Sequence, residues 1–231
     1  MSQKLYVIHG WTYTIEPWRT VRELLANDNI ELVMLQVPGL TGKSDKVWTI
    51  EGYVEWLQEQ LKDVSRPIVL GHSNGGRIAL NYLIKYPGSF KHLILLNSAG
   101  VYEAPRAVSF KRKLFKVLSK MLKPLKYIPL VRRVVYRVLG ASDYDRAPAN
   151  MKKTLQNMLS SDMSLELNHI EDPISIIWGK EDRTTPLGQG KKMHQLLKNS
   201  SFLAVNEWGH APYITHPQQL ALEIQKIVEK V

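Results

Sequence analysis

The sequence predicts an α/β protein: a mostly parallel, twisted sheet with helices on both faces, carrying one helical insertion. Three observations point there. Short apolar, β-branched runs recur along the chain, helical patterns lie between them, and a single long stretch from about Val101 to His169 breaks the rhythm. Runs that are apolar without alternation suit parallel strands covered on both faces. Strand–helix alternation then joins them by right-handed crossovers.

Taken in order, the strand candidates are Lys4–Ile8, Ile30–Leu35, Pro67–Leu70, His92–Leu96, Pro173–Trp178 and Ser201–Val205, all expected to be fully buried. After the second run, Ile50, Tyr53, Val54, Leu57, Leu61 and Val64 recur at helical spacing, with Thr49 placed to cap the helix. Ile78, Leu80, Tyr82 and Leu83 continue a helical pattern directly after the third run. Near the end Leu220, Ile224, Ile227, Val228 and Val231 do the same, with Pro217 tolerated in the first turn. The alternation resumes at Pro173, so residues 102–168 are expected to be an insertion on a core formed by 1–101 and 169–231.

Composition bounds the function. With 231 residues, 44% of them apolar and 23% charged, the chain can bury an ordinary core and is not a disordered segment. No apolar run reaches the roughly 20 residues that span a bilayer, and the pattern of a secretory signal peptide is missing. There is no cysteine, which excludes disulfides and thiolate metal sites. A cytoplasmic location is expected. The net charge of +10 is local: between Ala104 and Ser142 lie eleven basic residues and no acidic one, leaving 20 basic against 21 acidic elsewhere. A neutral body with one basic segment is not the pattern of a chain that is basic all over for nucleic acid.

The chemistry sits at the ends of the strand candidates. Pro67–Leu70 runs into Gly71-His72-Ser73-Asn74-Gly75-Gly76 and then into a helical pattern. A nucleophile on so sharp a turn is strained, and side chains two residues to either side would clash, which explains the glycines. The turn lifts the Ser73 hydroxyl clear of the sheet and puts the Asn74 amide at a helix N-terminus, where it can bind an oxyanion. A serine nucleophile needs a base, and the base an orienting acid. Asp182 follows Pro173–Trp178 in Gly179-Lys180-Glu181-Asp182-Arg183-Thr184-Thr185-Pro186, and His210 follows Ser201–Val205 in Gly209-His210-Ala211-Pro212. Glu181, Glu207 and Asp172 are rival acids; Asp172 precedes its strand and so belongs to the opposite edge. Lys4–Ile8 ends in His9-Gly10-Trp11, which makes the Trp11 amide the candidate second oxyanion donor. His9 and His72 are expected to pack and hydrogen-bond beside the turns. No H-E-x-x-H or similar ligand spacing is present, so no metal site is expected.

In these motifs the sequence resembles the α/β-hydrolase family, in particular its small members with a lid. The resemblance covers nearly the whole chain and rests on Gly71–Gly76, His9-Gly10-Trp11 with Trp18, Trp178–Pro186, Gly209–Pro212 with His216-Pro217, and Asn97-Ser98-Ala99. It implies Ser73, Asp182 and His210 as catalytic residues, Trp11 and Asn74 as the oxyanion hole, and no cofactor. Ser73 excludes the dehalogenase and epoxide-hydrolase branches, which carry Asp at that position. Two departures stand out. The chain starts on the strand that usually comes third, and the usual Asp-x-Pro-Gly is Gln36-Val37-Pro38-Gly39.

The insertion would then be the lid. Phe110, Leu114, Val117, Leu118, Met121 and Leu125 form an apolar stripe, with Lys113, Lys116, Lys120 and Lys123 largely off it. The stripe is expected to roof a pocket while the lysines face water. The alternative is a weak contact of this basic face with an anionic membrane or an anionic substrate. RNA binding is disfavoured, because aromatics beyond Phe110, Phe115, Tyr127 and Tyr136 are not interleaved with the basic residues. The expected activity is hydrolysis of a small-molecule carboxylester or thioester. The alternatives are C–C bond hydrolysis of a diketone-like compound, or a slow or inactive ligand-binding protein of the same fold.

Overall fold

A computed structural model describes residues 2–101, 147–161 and 166–231. The basic stretch Ala104–Ser142 and its apolar stripe lie outside the described residues. Six strands form one parallel sheet: β1 Gln3–Ile8, β2 Ile30–Met34, β3 Ile68–His72, β4 His92–Leu96, β5 Ile174–Gly179 and β6 Ser200–Val205, in the order β2-β1-β3-β4-β5-β6. Among the described residues the α-helices are α1 Arg19–Asn27, α2 Ile50–Leu61, α3 Asn74–Lys85, α4 Ala149–Ser161, α5 Leu187–Leu196, α6 Pro212–Thr215 and α7 Pro217–Val228.

Alternation along each strand divides the core into two layers. On β4, Leu93 and Leu95 face the layer built by α2, α3, α4 and α5, where Tyr53, Leu57, Leu80 and Met158 pack. Ile94 and Leu96 face the opposite layer, built largely by α1 and α7 through Val21, Leu25, Leu220 and Ile224. Each face carries helices, so the inner strands are covered on both sides along most of their length. β3 and β5 are buried from end to end.

The edges differ from expectation. β6 alternates between half-buried and exposed positions, and Leu203 is 40% exposed; β2 likewise exposes Glu31. An edge strand has a neighbour on one side only, and at the rim the helices no longer cover both faces. Apolar composition alone does not reveal which strand ends up there.

Local chemistry sets the helix boundaries. Thr49 adopts an extended conformation and its side chain accepts from the Gly52 amide, starting α2 as its position suggested. α2 ends at Leu61, and Val64 lies in the following turn, where its amide donates to the Leu61 carbonyl. α7 likewise stops at Val228, short of Val231. α4 is tied to the approach to α2: the Trp48 amide donates to Thr154 Oγ1, and Asn157 Nδ2 donates to the Trp48 carbonyl. Among the described residues no helix is long and apolar enough to cross a membrane.

Candidate active site

Parallel strands bring their C-terminal ends to one edge of the sheet, and the turns that leave this edge carry the candidate residues. Ser73 follows β3 and immediately precedes α3. Its backbone has φ 51° and ψ −117°, a left-handed conformation that side chains rarely adopt. Three amides donate to its carbonyl, from Gly76, Arg77 and Ala99, and its own amide donates to the Leu96 carbonyl. These bonds, together with the buried helix behind them, hold the strained turn. The flanking glycines are sterically required. A Cβ on Gly71 would lie 2.6 Å from the Gly76 Cα, and one on Gly75 would overlap the Ile8 carbonyl. Gly75 therefore lets the start of α3 sit against the end of β1.

Ser73, His210 and Asp182 come together from β3, β6 and β5. His210 Nε2 lies 3.0 Å from Ser73 Oγ, and His210 Nδ1 lies 2.7 Å from Asp182 Oδ2. An ionised carboxylate only accepts, so Nδ1 carries the proton and Nε2 offers its lone pair to the serine hydroxyl. The Asp182 side chain is fully buried. Its Oδ1 accepts from the Thr184 and Thr185 amides at 2.8 and 2.9 Å, and Oδ2 also accepts from Thr185 Oγ1 at 2.7 Å. Burial pushes this carboxyl up, but the His210 hydrogen bond and charge, with the Thr185 side-chain and backbone bonds, outweigh it and leave the pKa below its usual value.

The rivals stand elsewhere. Glu181 and Glu207 are exposed, Glu207 on a left-handed turn residue. Asp172 is buried at the other end of the sheet, where it accepts from the Gly88 and Phe90 amides. Trp11 follows β1 and is half-buried, and Gly10 stands against the nucleophile turn: a Cβ on it would lie 3.0 Å from the Ser73 Cβ. Asn74 is the first residue of α3, where helix geometry provides no acceptor for its amide.

Three residues in the site were not singled out for it from sequence. Asn97, wholly buried with φ 44°, follows β4 and braces the neighbouring loops. Its Oδ1 accepts from the Gly179 amide at the start of the Asp182 loop, and its Nδ2 donates to the Gly209 and His210 carbonyls of the next loop. His72 Nε2 donates to the same His210 carbonyl at 2.9 Å. Burial, with the His210 charge adding, lowers the His72 pKa to about 3. Thr185 has one hydroxyl proton and two acceptors in reach, Asp182 Oδ2 at 2.7 Å and the Asn97 carbonyl at 3.1 Å; the shorter contact to a charged oxygen takes it. The Thr-Thr-Pro sequence after Asp182 was the available signal for Thr185. Asn97-Ser98-Ala99 stood out after its strand, but nothing local in that motif shows the bracing role of Asn97.

A model of the alpha/beta hydrolase family matches residues 5–223. The chain is 24% identical to a pimeloyl-[acyl-carrier protein] methyl ester esterase of Nitrosomonas europaea, over 93% of this chain and 91% of the relative. It is 25% identical to the uncharacterised hydrolase YugF of Bacillus subtilis, over 98% of this chain and 90% of the relative. Among solved structures, a thermophilic esterase from Thermogutta terrifontis superposes with a TM-score of 0.69 at 19% identity, covering 100% of this chain and 90% of that one.

Proposed function

The chain belongs to the alpha/beta hydrolase family and is a hydrolase, and we propose that it cleaves a carboxylester or thioester through an acyl-enzyme on Ser73. The observation that carries this reading is the continuous chain Asp182–His210–Ser73, with contacts of 2.7 and 3.0 Å. Ser73 Oγ attacks the substrate carbonyl while His210 Nε2 takes its proton. Asp182 keeps the proton on Nδ1 and stabilises the imidazolium that forms. The amides of Trp11 and Asn74 stabilise the oxyanion of the tetrahedral intermediate. As that intermediate collapses, His210 returns the proton to the leaving alcohol or thiol. Water, activated by the same histidine, then releases the acid. The ester named in the Nitrosomonas relative supports an ester over a C–C bond as the scissile group.

The test is covalent labelling. A fluorophosphonate should modify Ser73 and no other serine, because only a serine with a base and an oxyanion hole is activated. Mass spectrometry locates the adduct, and Ser73→Ala should abolish both labelling and turnover across a panel of p-nitrophenyl esters and acyl thioesters of graded length. Labelling elsewhere, or hydrolysis that survives in Ser73→Ala, would sink the proposal.

A further inference from the structure

His9 is wholly buried at the point where the chain leaves β1. Its Nδ1 lies 2.8 Å from the Gly10 carbonyl oxygen and its Nε2 lies 2.7 Å from Thr41 Oγ1. A carbonyl oxygen only accepts, so Nδ1 carries a proton. Burial lowers the pKa of this imidazole and favours the neutral form, which leaves Nε2 as an acceptor for the Thr41 hydroxyl. The Thr41 oxygen accepts in turn from the Val37 amide at 3.1 Å. Every proton in the chain Val37 N–H, Thr41 O–H, His9 Nδ1–H, Gly10 C=O thus points the same way.

The Gly10 carbonyl and the Trp11 N–H belong to one planar peptide unit. Among the described residues no peptide is cis, so the N–H points opposite to the C=O. Whatever grips the Gly10 oxygen therefore sets the direction of the Trp11 amide. The grip matters because a glycine precedes the bond: Gly10 can rotate into conformations closed to other residues, so this peptide turns over more easily than most. We propose that His9, backed by Thr41, is a positioning residue for the oxyanion hole: holding the Gly10 carbonyl keeps the Trp11 N–H turned toward the reacting carbonyl at Ser73. The inference rests on the acyl-enzyme reading above.

Two matched pairs test it, with p-nitrophenyl acetate turnover and the rate of fluorophosphonate labelling as readouts and thermal unfolding as the control for folding. His9→Leu removes the grip, whereas His9→Asn keeps an N–H donor near the Nδ1 position. Thr41→Val removes the hydroxyl at constant shape, whereas Thr41→Ser keeps it. Loss of one oxyanion donor costs about 100- to 1,000-fold in kcat, and a misdirected donor part of that. His9→Leu should lose roughly tenfold to 100-fold in kcat and in labelling rate, with KM within about twofold, since ground-state binding does not use this amide. Thr41→Val should lose less in the same direction, and His9→Asn and Thr41→Ser should recover most of the activity. A merely structural role would move the unfolding temperature without splitting kcat from KM and without rescue by the donor-keeping variants. Folded His9→Leu that labels and turns over like wild type overturns the inference, as does equal loss in His9→Leu and His9→Asn. If His9→Leu does not fold, equal activity of Thr41→Val and Thr41→Ser overturns it. A wild-type protein that resists the probe overturns the acyl-enzyme reading and this inference together, whereas wild type labelled at Ser73 leaves the first standing and isolates the second.

Discussion

Asp182 is held by three hydrogen bonds besides the one from His210, and their consequences separate on mutation. Asp182→Asn keeps the shape but replaces an acceptor with a donor facing Nδ1, so the histidine takes the wrong tautomer. A loss of about 10⁴-fold in kcat is expected, the size found for the corresponding change in chymotrypsin-type enzymes. Thr185→Val removes one charge-assisted bond worth about 1.5–3 kcal/mol. That corresponds to a loss of roughly tenfold to 100-fold if the whole bond is used to orient the acid. Glu181→Gln and Glu207→Gln should leave kcat within about twofold, because both side chains are exposed. Steady-state kinetics with one ester checks all four variants. A crippled glutamate variant beside an active Asp182→Asn would reassign the acid.

At the scale of elements, α2 and its cap show what a short stretch of sequence encodes fully. The cap residue, the apolar spacing and the helix they start all lie within Thr49–Leu61, and all appear in the structure. Thr49→Ala should lower stability by about 1 kcal/mol, since it leaves the Gly52 amide without its acceptor. A denaturant-unfolding midpoint that does not move would show that water replaces the cap at no cost. Strand positions were as readable as α2, because each buried run is local. What escaped the sequence is non-local. That β6 is an edge follows from strand order, and that Asn97 spans the Asp182 and His210 loops follows from β4 lying beside β5 and β5 beside β6. α1 was legible but not read: Trp18, Val21, Leu24 and Leu25 stand at helical spacing, and all pack in the layer it helps to build. The Ser73, Asp182 and His210 turns were legible because each follows its own strand, whereas their mutual distances belong to the folded sheet.

For the molecule as a whole, buried histidines set the response to acid. His72 stays neutral when folded, with its pKa lowered to about 3, while the unfolded chain binds a proton there below about 6.5. The unfolded state therefore carries more protons as pH falls from about 6.5 to about 3, and stability declines at up to 1.4 kcal/mol per pH unit from this group alone. His9 and His92, also lowered by burial, act in the same direction. Asp182 has the opposite charge type and a later window: its lowered pKa contributes stability that is complete above about 3.9 and is lost only as pH falls through the folded value. Acid destabilisation should therefore begin near pH 6, well before the carboxylates titrate. In His72→Gln, which keeps a donor for the His210 carbonyl, the slope of unfolding free energy against pH between 6 and 4 should fall by about 1.4 kcal/mol per unit. An unchanged slope from urea titrations at several pH values would show that His72 is not kept neutral.

The contact between His210 and Ser73 joins residues 137 positions apart, across the sheet from β3 to β6. Closing so distant a pair is slow, because chain entropy is lost before the contact can repay it. A refolding chain can regain its helices and stack Trp48 on Tyr53 before Ser73 meets His210. Reactivity toward an acylating probe should therefore return later than the helical circular-dichroism signal after dilution from denaturant. Chemical competence in this protein then reports the docking of its last strand, and a stopped-flow trace paired with timed probe quenching would measure that interval directly.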